Sequence, residues 1–319
     1  MIGKSTQPCE PPSNRLGSNK IMKPSFTRRV WRVSRTQHLK RFIYQRLLLR
    51  LRREIKDKHY PKMAALIHDE IGDWIIICGR YEDDLLGALI ENVIPKILPD
   101  HTETTALDVG ANIGNHTLAF SRAFASILAF EPNPIALHIL RANVAMNACE
   151  HVEIFPFGLD ISDGKKQYVQ TSGNLGASKF CSTPGDGTTP IDLEVRNGDL
   201  VIETKGIRRV GLVKIDVEGM EPAVIQGLSR TLKEHCPIVL FEALDDRACK
   251  HSINLLRSLG YNGFFSIERR RSKSKRAPSR WLERAQFGAD LFLTDMHEDW
   301  NGDHSLVMAT RNSDWLRVP

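Results

Sequence analysis

The chain has 319 residues, of which 41% are hydrophobic, and a formal net charge of +6. This length and apolar content are enough for one large α/β domain with an extension, or for two small domains. No run of 18 uncharged apolar residues occurs, which excludes a membrane-spanning helix, and the scattered cysteines lack the C-x-x-C spacing of a zinc motif. Because the first residues form no apolar leader, a cytoplasmic protein is expected.

The positive charge is concentrated in an N-terminal arm. Residues 20–58 hold 14 Lys and Arg against 2 Asp and Glu, whereas the chain from His59 onward carries a net charge of −7. Residues 1–27, rich in Pro, Ser and Asn, are predicted to be a disordered tail, with Met22 as an alternative start. Residues 28–60 are predicted to form a basic amphipathic helix. Its apolar positions recur every four residues: Leu39, Ile43, Leu47, Leu51 and Ile55.

Three roles for this arm are considered. The favoured one is a helix that docks its apolar stripe on the rest of the chain or on a second subunit. The second is peripheral contact of residues 28–58 with an anionic membrane. Nucleic-acid binding ranks third, because aromatic residues for base stacking are sparse in the arm. The sequence does not determine the oligomeric state.

Beyond the arm, residues 61–100 are predicted to form a lead-in strand, Trp74–Cys78, and a helix, Leu85–Ile97. Residues 101–300 then alternate short apolar runs with helical segments, which predicts a mostly parallel sheet with right-handed crossovers. The predicted strands are Ala106–Val109, Ile127–Phe130, Val152–Phe155, Leu212–Asp216, Ile238–Glu242, Phe264–Ile267 and Asp290–Leu293. The predicted helices between them are Asn115–Phe124, Ile135–Asn147 and Ala248–Leu259. The last two strands are expected to pair as an antiparallel hairpin, and residues 301–319 to form a tail.

The segment ALDVGANIG, Ala106–Gly114, is the first strong signal of a binding site. A strand carries the acid Asp108 and opens into a loop with three candidate cofactor-binding residues, Gly110, Asn112 and Gly114. After the next strand comes Glu131, an acid suited to the two hydroxyls of a ribose. The loop has one glycine fewer than the dinucleotide fingerprint, which points to S-adenosylmethionine instead of a pyrophosphate. The alternative is a tight strand-to-helix connection with no ligand.

The segment KIDVEG, Lys214–Gly219, is the second strong signal. It places Lys214, Asp216 and Glu218 at the end of the fourth main strand, beside the predicted cofactor cleft. These side chains could position a hydroxyl, accept its proton or hold a divalent cation. The alternative is structural, with Lys214 and Asp216 as a buried ion pair and Glu218 with Glu221 charging the first turn of the next helix.

These motifs together resemble the FkbM-type family of S-adenosylmethionine-dependent methyltransferases. The resemblance runs from about Asp73 to Leu293. It rests on the DVGANIGNHT, AFEPNP, NLGAS and VGLVKIDVEGMEPAVIQGL segments, with support from Gly158–Gly164 and Glu242. It implies a class I methyltransferase fold, a Rossmann-like α/β fold whose seven-stranded, mostly parallel sheet has an antiparallel last strand. It also implies O-methylation of a hydroxyl on a sugar, glycolipid or secondary metabolite.

The resemblance carries roles onto particular positions. The candidate cofactor-binding set is Asp108, Gly110, Asn112, Gly114, Glu131 and Asp160. In that set Glu131 matches the ribose-binding acid, and Asp160 lies in the looser segment that usually borders the adenine. The candidate catalytic set is Asp216, Glu218 and Lys214, in which Asp216 and Glu218 match the signature acids near the methyl donor.

The chemistry of proton removal is left open by the residues. Asp216 and Glu242 end neighbouring strands and offer two carboxylates for Mg²⁺, yet a base without metal fits equally well. His116 and His251 are candidate bases by residue type alone, and each is expected to be a surface or packing histidine. A nucleic-acid methyltransferase is disfavoured because the fourth strand ends in carboxylates with no stacking ring, and a non-catalytic protein that binds the cofactor is the remaining alternative.

A basic segment, Glu268–Arg284, separates the last two predicted strands. It holds 8 Lys and Arg against 2 acids. If the strand before it runs parallel to its neighbours, this segment leaves the sheet at the edge where Asp216 and Glu242 lie. Clefts lined by one sign of charge concentrate ligands of the opposite sign. The segment therefore favours an anionic acceptor, with a solvated charged loop as the alternative.

Overall fold

The computed structural model describes residues 35–57, 60–67, 69–169, 179–180, 191–243, 246–269, 291–296 and 305–311. The chain divides into two compact units, one up to Leu49 and one from Arg50 onward. In the first, the described residues belong to helix α1 (Arg35–Asp57), which lies inside the range predicted to be helical. Several of its apolar side chains are more than half exposed: Leu39, Phe42, Ile43 and Leu47. None of the described helices is long and apolar enough to cross a membrane, and what α1 binds stays a prediction.

The second unit is built from helices and strands in alternation. The helices are α2 (Glu70–Cys78), α3 (Asp83–Ala88), α4 (Ile94–Ile97), α5 (Asn115–Phe120), α6 (Pro134–Met146), α7 (Gly198–Lys205), α8 (Glu221–Gly227), α9 (Ser229–His235) and α10 (Asp246–Ser258). The strands are β1 (Thr105–Val109), β2 (Ser126–Phe130), β3 (Val152–Phe155), β4 (Gly158–Asp160), β5 (Gly164–Val169), β6 (Lys179–Phe180), β7 (Ile191–Asn197), β8 (Val210–Ile215), β9 (Ile238–Ala243), β10 (Gly263–Arg269), β11 (Leu291–Asp295) and β12 (Ser305–Thr310).

The larger sheet has eight strands in the order β11-β10-β12-β9-β8-β1-β2-β3. Strands β3, β2, β1, β8 and β9 are mutually parallel, whereas β12 runs antiparallel to both of its neighbours. The predicted α/β fold with a mostly parallel sheet and an antiparallel last strand is confirmed. The strand count is corrected from seven to eight, and β10 with β11 forms the expected antiparallel pair.

Strand β12 corrects the expectation that residues 301–319 form only a tail. It enters the sheet between β9 and β10, and Val307, Met308 and Ala309 are fully buried there. A strand with neighbours on both sides and packing on both faces appears in sequence as a short continuous apolar run. Such a run has no alternation to identify it as a strand. β12 could therefore be identified as a strand only from its pairing with β9 and β10 in the sheet.

A second, four-stranded sheet was not predicted. Its order is β4-β7-β5-β6. It arises from residues 158–197, where the sequence shows short, polar segments: β7, for example, buries only Leu193 and Val195 well. Buried and exposed side chains alternate along this part of β7, which is typical of a strand with one solvated face. The NLGAS motif lies outside the described residues.

The prediction of a strand at Trp74–Cys78 is wrong, because these residues form α2. The isoleucine run favours a strand by propensity, but both ends carry helix caps. Asp69 accepts a hydrogen bond from the Gly72 N–H at 3.1 Å, and Gly79 ends the helix with φ of +89°. The predicted helix Leu85–Ile97 is confirmed as α3, a π-helical turn and α4 in succession.

The larger sheet is covered on both faces, which fixes where a ligand can reach it. On one face Val213 and Phe241 pack with Val224 of α8, and on the other Leu212 packs with Leu86 and Phe120. The parallel strands β1, β2, β8 and β9 end at one edge. In sheets of this kind, ligands bind beyond the carboxyl ends of the strands.

Candidate cofactor and catalytic site

A cavity of about 390 Å³ opens at the carboxyl edge of the larger sheet. Six of the predicted site residues line it: Gly110, Asn112, Glu131, Lys214, Asp216 and Glu218. Glu242 and His116 line it as well. Three predicted site residues, Asp108, Gly114 and Asp160, do not. The two strong sequence motifs thus meet at one cavity.

The loop after β1 combines a structural and a ligand-facing role. Gly110 has φ of +82°, and a Cβ there would lie 1.8 Å from the Asp216 carbonyl oxygen. Gly110 is therefore required for the close approach of the two loops, whether or not a ligand is bound. Asn112, with φ of +50°, lines the cavity, and its Oδ1 is buried without a hydrogen-bond partner among the described residues. A buried acceptor of this kind is expected to have a partner.

Gly114 acts through packing. With φ of +94°, it precedes α5, and a Cβ there would lie 2.7 Å from Leu140 Cδ1. Gly114 does not line the cavity, and the nearby Leu140 ties it to the contact between α5 and α6; its role in cofactor binding stays a prediction.

Glu131 follows β2 and is held by the backbone. Its Oε2 accepts a hydrogen bond from the Asn112 N–H at 2.8 Å, and its Oε1 accepts one from the Asn133 N–H at 2.7 Å. Burial raises the pKa of Glu131 to about 7, although these two hydrogen bonds favour the ionised form. The carboxylate is thus fixed in orientation, faces the cavity and changes charge near neutral pH.

Asp108 lies beneath the cavity instead of in its lining. It is fully buried and accepts a hydrogen bond from Thr117 Oγ1 at 2.5 Å. Its Oδ1 is 3.9 Å from Lys214 Nζ. Asp108 therefore helps to hold the buried lysine from the strand side.

Asp160 lies behind the cavity wall as well. Its Oδ2 is 2.5 Å from Lys166 Nζ, and its Oδ1 accepts a hydrogen bond from the Ile161 N–H. The preceding residues, Gly158 and Leu159, line the cavity in its place. The Gly158–Asp160 segment thus reaches the cavity while the Asp160 carboxylate is paired with Lys166, and a contact of this segment with the adenine stays a prediction.

Lys214, Asp216 and Glu242 form a charged cluster at the cavity. Lys214 Nζ is 2.9 Å from Asp216 Oδ2. Burial opposes the charge of Asp216, but the Lys214 ammonium outweighs burial and holds the pKa of Asp216 below its usual range. Burial likewise opposes the charge of Lys214, but Asp216 and Asp108 raise its pKa overall. Both members of the pair are therefore ionised at neutral pH.

Glu242 behaves differently from its neighbour. Burial, the charge of Asp216 and a hydrogen bond to that residue raise the pKa of Glu242 to about 8. At neutral pH Glu242 therefore holds a proton and shares it with Asp216. Two carboxyl groups in contact behave in this way because both cannot ionise easily.

Glu218 and Glu221 separate into two roles. Glu218, with φ of +53°, lines the cavity. Glu221 is buried at the start of α8, where its Oε1 accepts a hydrogen bond from the Gly219 N–H at 3.0 Å. Glu221 therefore has the place in the first helical turn that the structural alternative gave to both acids, whereas Glu218 faces the cavity.

Sequence reasoning missed the contribution of the segment before α3. Tyr81 and Glu82 line the cavity, and Glu82 Oε2 lies 3.3 Å from Nε2 of His116. His116 was expected as a surface or packing histidine but faces the cavity, whereas His251 is exposed on α10. No local signal marks Glu82, because its role depends on a contact with a residue 34 positions away.

The Mg²⁺ seat at Asp216 and Glu242 stays a prediction. Across the described part of the chain, no group of three or more His, Cys, Asp or Glu residues is arranged to hold a metal ion. The two carboxyl groups are hydrogen-bonded to each other, and the pKa of Glu242 is raised to about 8.

Comparison with known proteins gives a consistent result. Residues 108–262 match the methyltransferase FkbM domain. The chain is 32% identical to hexuronic acid methyltransferase AglP of Haloferax volcanii, over 47% of this chain and 60% of that protein. It is 30% identical to methyltransferase sdnD of Sordaria araneosa, over 42% and 62% respectively. A crystal structure of methyltransferase FkbM from Methylobacillus flagellatus aligns with a TM-score of 0.42 at 16% identity, over 75% of this chain and 52% of that one. The chain thus spans about three fifths of the length of these curated relatives.

Proposed function

We propose that this chain is an S-adenosylmethionine-dependent O-methyltransferase, because residues 108–262 match the methyltransferase FkbM domain and the sequence motifs resemble the same family. The acceptor that we propose is a hydroxyl of a sugar, a glycolipid or a secondary metabolite. One observation carries the proposal: the ionised carboxylate of Asp216, held by Lys214, lines the same cavity as Glu131, the acid that we propose binds the ribose hydroxyls.

The residues of the cavity fit the cofactor. Glu131 offers free lone pairs to two ribose hydroxyls, and the unpartnered Oδ1 of Asn112 offers an acceptor for an N–H group. Leu159 and Val195 supply apolar wall beside Gly158. When bound, S-adenosylmethionine supplies an electrophilic methyl group on a sulfonium.

The charged cluster is suited to the acceptor hydroxyl. Asp216 accepts a hydrogen bond from that hydroxyl and aligns its oxygen for in-line attack. Lys214 keeps Asp216 ionised, and Glu242, which holds a proton at neutral pH, is hydrogen-bonded to the same residue. An acceptor held in this way loses less freedom on reaching the transition state.

A hexuronic acid is the acceptor class that we test first. The Haloferax volcanii relative is named for this substrate. The anionic acceptor inferred from Glu268–Arg284 agrees with it. The described residues of that segment, Glu268 and Arg269, pair with Phe292 and Leu291 of β11 in the larger sheet. The rest of the segment lies outside the described residues, so its contact with the acceptor stays a proposal.

The test is methyl transfer by the purified full chain. We expect S-adenosylhomocysteine and a methylated product, detected by mass spectrometry, from a panel of glucuronic acid, glucose and dodecyl maltoside. Parallel reactions with Mg²⁺ and with EDTA report whether a metal takes part. Cofactor binding without product from any acceptor, with or without Mg²⁺, would contradict an enzyme of this class and favour a non-catalytic binding protein.

The affinity for S-adenosylmethionine is expected to depend on pH through Glu131. The pKa of Glu131 is about 7, and ribose hydroxyls donate best to the ionised form. Below pH 7 the protein must lose a proton to bind, so we expect Kd to rise with falling pH, by up to about tenfold per unit. Above pH 7 the affinity levels off. Calorimetry from pH 5.5 to 8.5 measures this, and Glu131→Gln should be nearly flat; an equally steep slope in that variant would assign the dependence to another group.

A further inference from the structure

One pair of cavity residues joins the end of the DVGANIGNHT segment to a part of the chain that carries no motif. Glu82, just before α3, and His116, in the first turn of α5, both line the cavity. Glu82 Oε2 and His116 Nε2 are 3.3 Å apart, and both side chains are largely shielded from solvent. A histidine held by a carboxylate beside a ligand cavity is an arrangement that serves proton transfer.

The backbone on each side of this pair is tied together. Asn115 is buried, its Oδ1 accepts a hydrogen bond from the Tyr81 N–H at 3.2 Å, and its Nδ2 donates one to the Tyr81 carbonyl at 3.0 Å. Asn115 directly precedes His116, and Tyr81 directly precedes Glu82. The two-bond clamp therefore sets the distance between the carboxylate and the imidazole.

Glu82 adopts a backbone conformation that local structure does not explain. Its φ is +54°, in the left-handed region that residues other than glycine seldom occupy, and its side chain makes no capping hydrogen bond to α3. Such conformations persist when the surrounding structure enforces them, and they are enriched at functional sites. Here the enforced turn directs Glu82 to His116.

The charged groups around His116 limit which side chain of the cavity can accept the proton of the acceptor hydroxyl. Glu82 faces it from the segment before α3, Asp216 from the end of β8, and the Phe120 ring lies 6.0 Å away on its own helix. Asp216 is already paired with the Lys214 ammonium at 2.9 Å. His116, by contrast, has the Glu82 carboxylate at 3.3 Å, which can stabilise its protonated form. A histidine can accept a proton and return it to water near neutral pH.

We propose that His116 is the general base of the transfer reaction and that Glu82 and Asn115 are its positioning residues. This inference rests on the proposed function. As the acceptor oxygen forms its bond to the methyl carbon, the carbon–sulfur bond breaks and its electron pair stays on sulfur. The hydroxyl proton moves to the free ring nitrogen of His116. Glu82 stabilises the resulting imidazolium and fixes the ring, and Asp216 orients the hydroxyl.

The test compares His116→Gln and His116→Asn with wild type, using glucuronic acid or the panel acceptor with the highest kcat/KM. We expect kcat to fall about a hundredfold or more, with Kd for S-adenosylmethionine within about twofold, and the acid limb of the kcat profile to disappear. His138→Gln, an exposed histidine on α6, is the matched control and should match wild type. Glu82→Gln should lower kcat while KM for the acceptor stays within about twofold, because the imidazole loses the carboxylate that holds it; a purely structural Glu82 would not change kcat without KM.

The outcomes separate this inference from the function on which it rests. If wild type binds the cofactor and methylates no acceptor of the panel, the proposed function fails. If wild type is active while either His116 variant keeps kcat within threefold and keeps the acid limb, the general-base role is wrong and the function stands. An acid limb near pH 8 that is lost in Glu242→Gln but kept in His116→Gln would also overturn the inference and assign the proton to Glu242.

Discussion

Replacing Asp216 with asparagine is expected to lower kcat for methyl transfer at least tenfold while Kd for S-adenosylmethionine stays within about twofold. Asparagine is nearly isosteric and can still accept a hydrogen bond from Lys214, which lies 2.9 Å away. The charge that orients the acceptor hydroxyl is lost, however. Lys214 keeps a second counter-charge in Asp108, at 3.9 Å, so the fold should survive.

Steady-state kinetics at several pH values, together with a calorimetric titration of cofactor, measure this change. Asp192→Asn is the matched control, because Asp192 is exposed on β7 and does not line the cavity. Unchanged turnover in Asp216→Asn would make the Lys214–Asp216 pair purely structural. A combined loss of cofactor binding and thermal stability would lead to the same conclusion.

Replacing Glu131 with alanine should weaken the binding of S-adenosylmethionine by about 1.5–3 kcal/mol, which corresponds to roughly tenfold to 150-fold in Kd. The interactions that we propose are lost are charge-assisted hydrogen bonds to the ribose hydroxyls. The carboxylate also accepts the N–H groups of Asn112 and Asn133, so its removal loosens the loop after β1. Both effects act on the cofactor end of the cavity.

Two further variants show which effect dominates. Glu131→Gln keeps one oxygen acceptor and should lose less affinity than Glu131→Ala. Glu150→Ala removes an exposed acid outside the cavity and should bind as wild type does. Affinity like that of wild type in a folded Glu131→Ala protein would remove Glu131 from the cofactor site.

Much of the fold follows from local patterns. The strands Ala106–Val109 and Ile127–Phe130 are short apolar runs followed by a turn and a helix, and the structure has them as β1 and β2 within one residue of the expected bounds. The apolar runs identify these strands because both faces of a central strand are buried, independently of which strands lie beside it. The same reasoning failed at α2, where Asp69 and Gly79 cap a helix that β-propensity alone assigns to a strand.

Local sequence patterns were enough to identify the two motifs and the edge of the sheet at which they meet. Parallel strands that end in Gly110, Glu131 and Asp216 must bring these residues to one side of the sheet. That conclusion needs only the direction of the strands, which the alternation with helices supplies. The family match over residues 108–262 covers the same elements.

The role of each polar residue at that edge depends on its neighbours in three dimensions. Asp160 and Asp216 are both acids near a strand end. Asp160 is paired with Lys166 and does not line the cavity, whereas Asp216 is paired with Lys214 and does. Glu82 meets His116 because Asn115 fastens a distant turn to α5. Burial, pairing and proton affinity depend on neighbours that are far apart in the chain, and long-range contacts of this kind leave no periodic trace in the sequence.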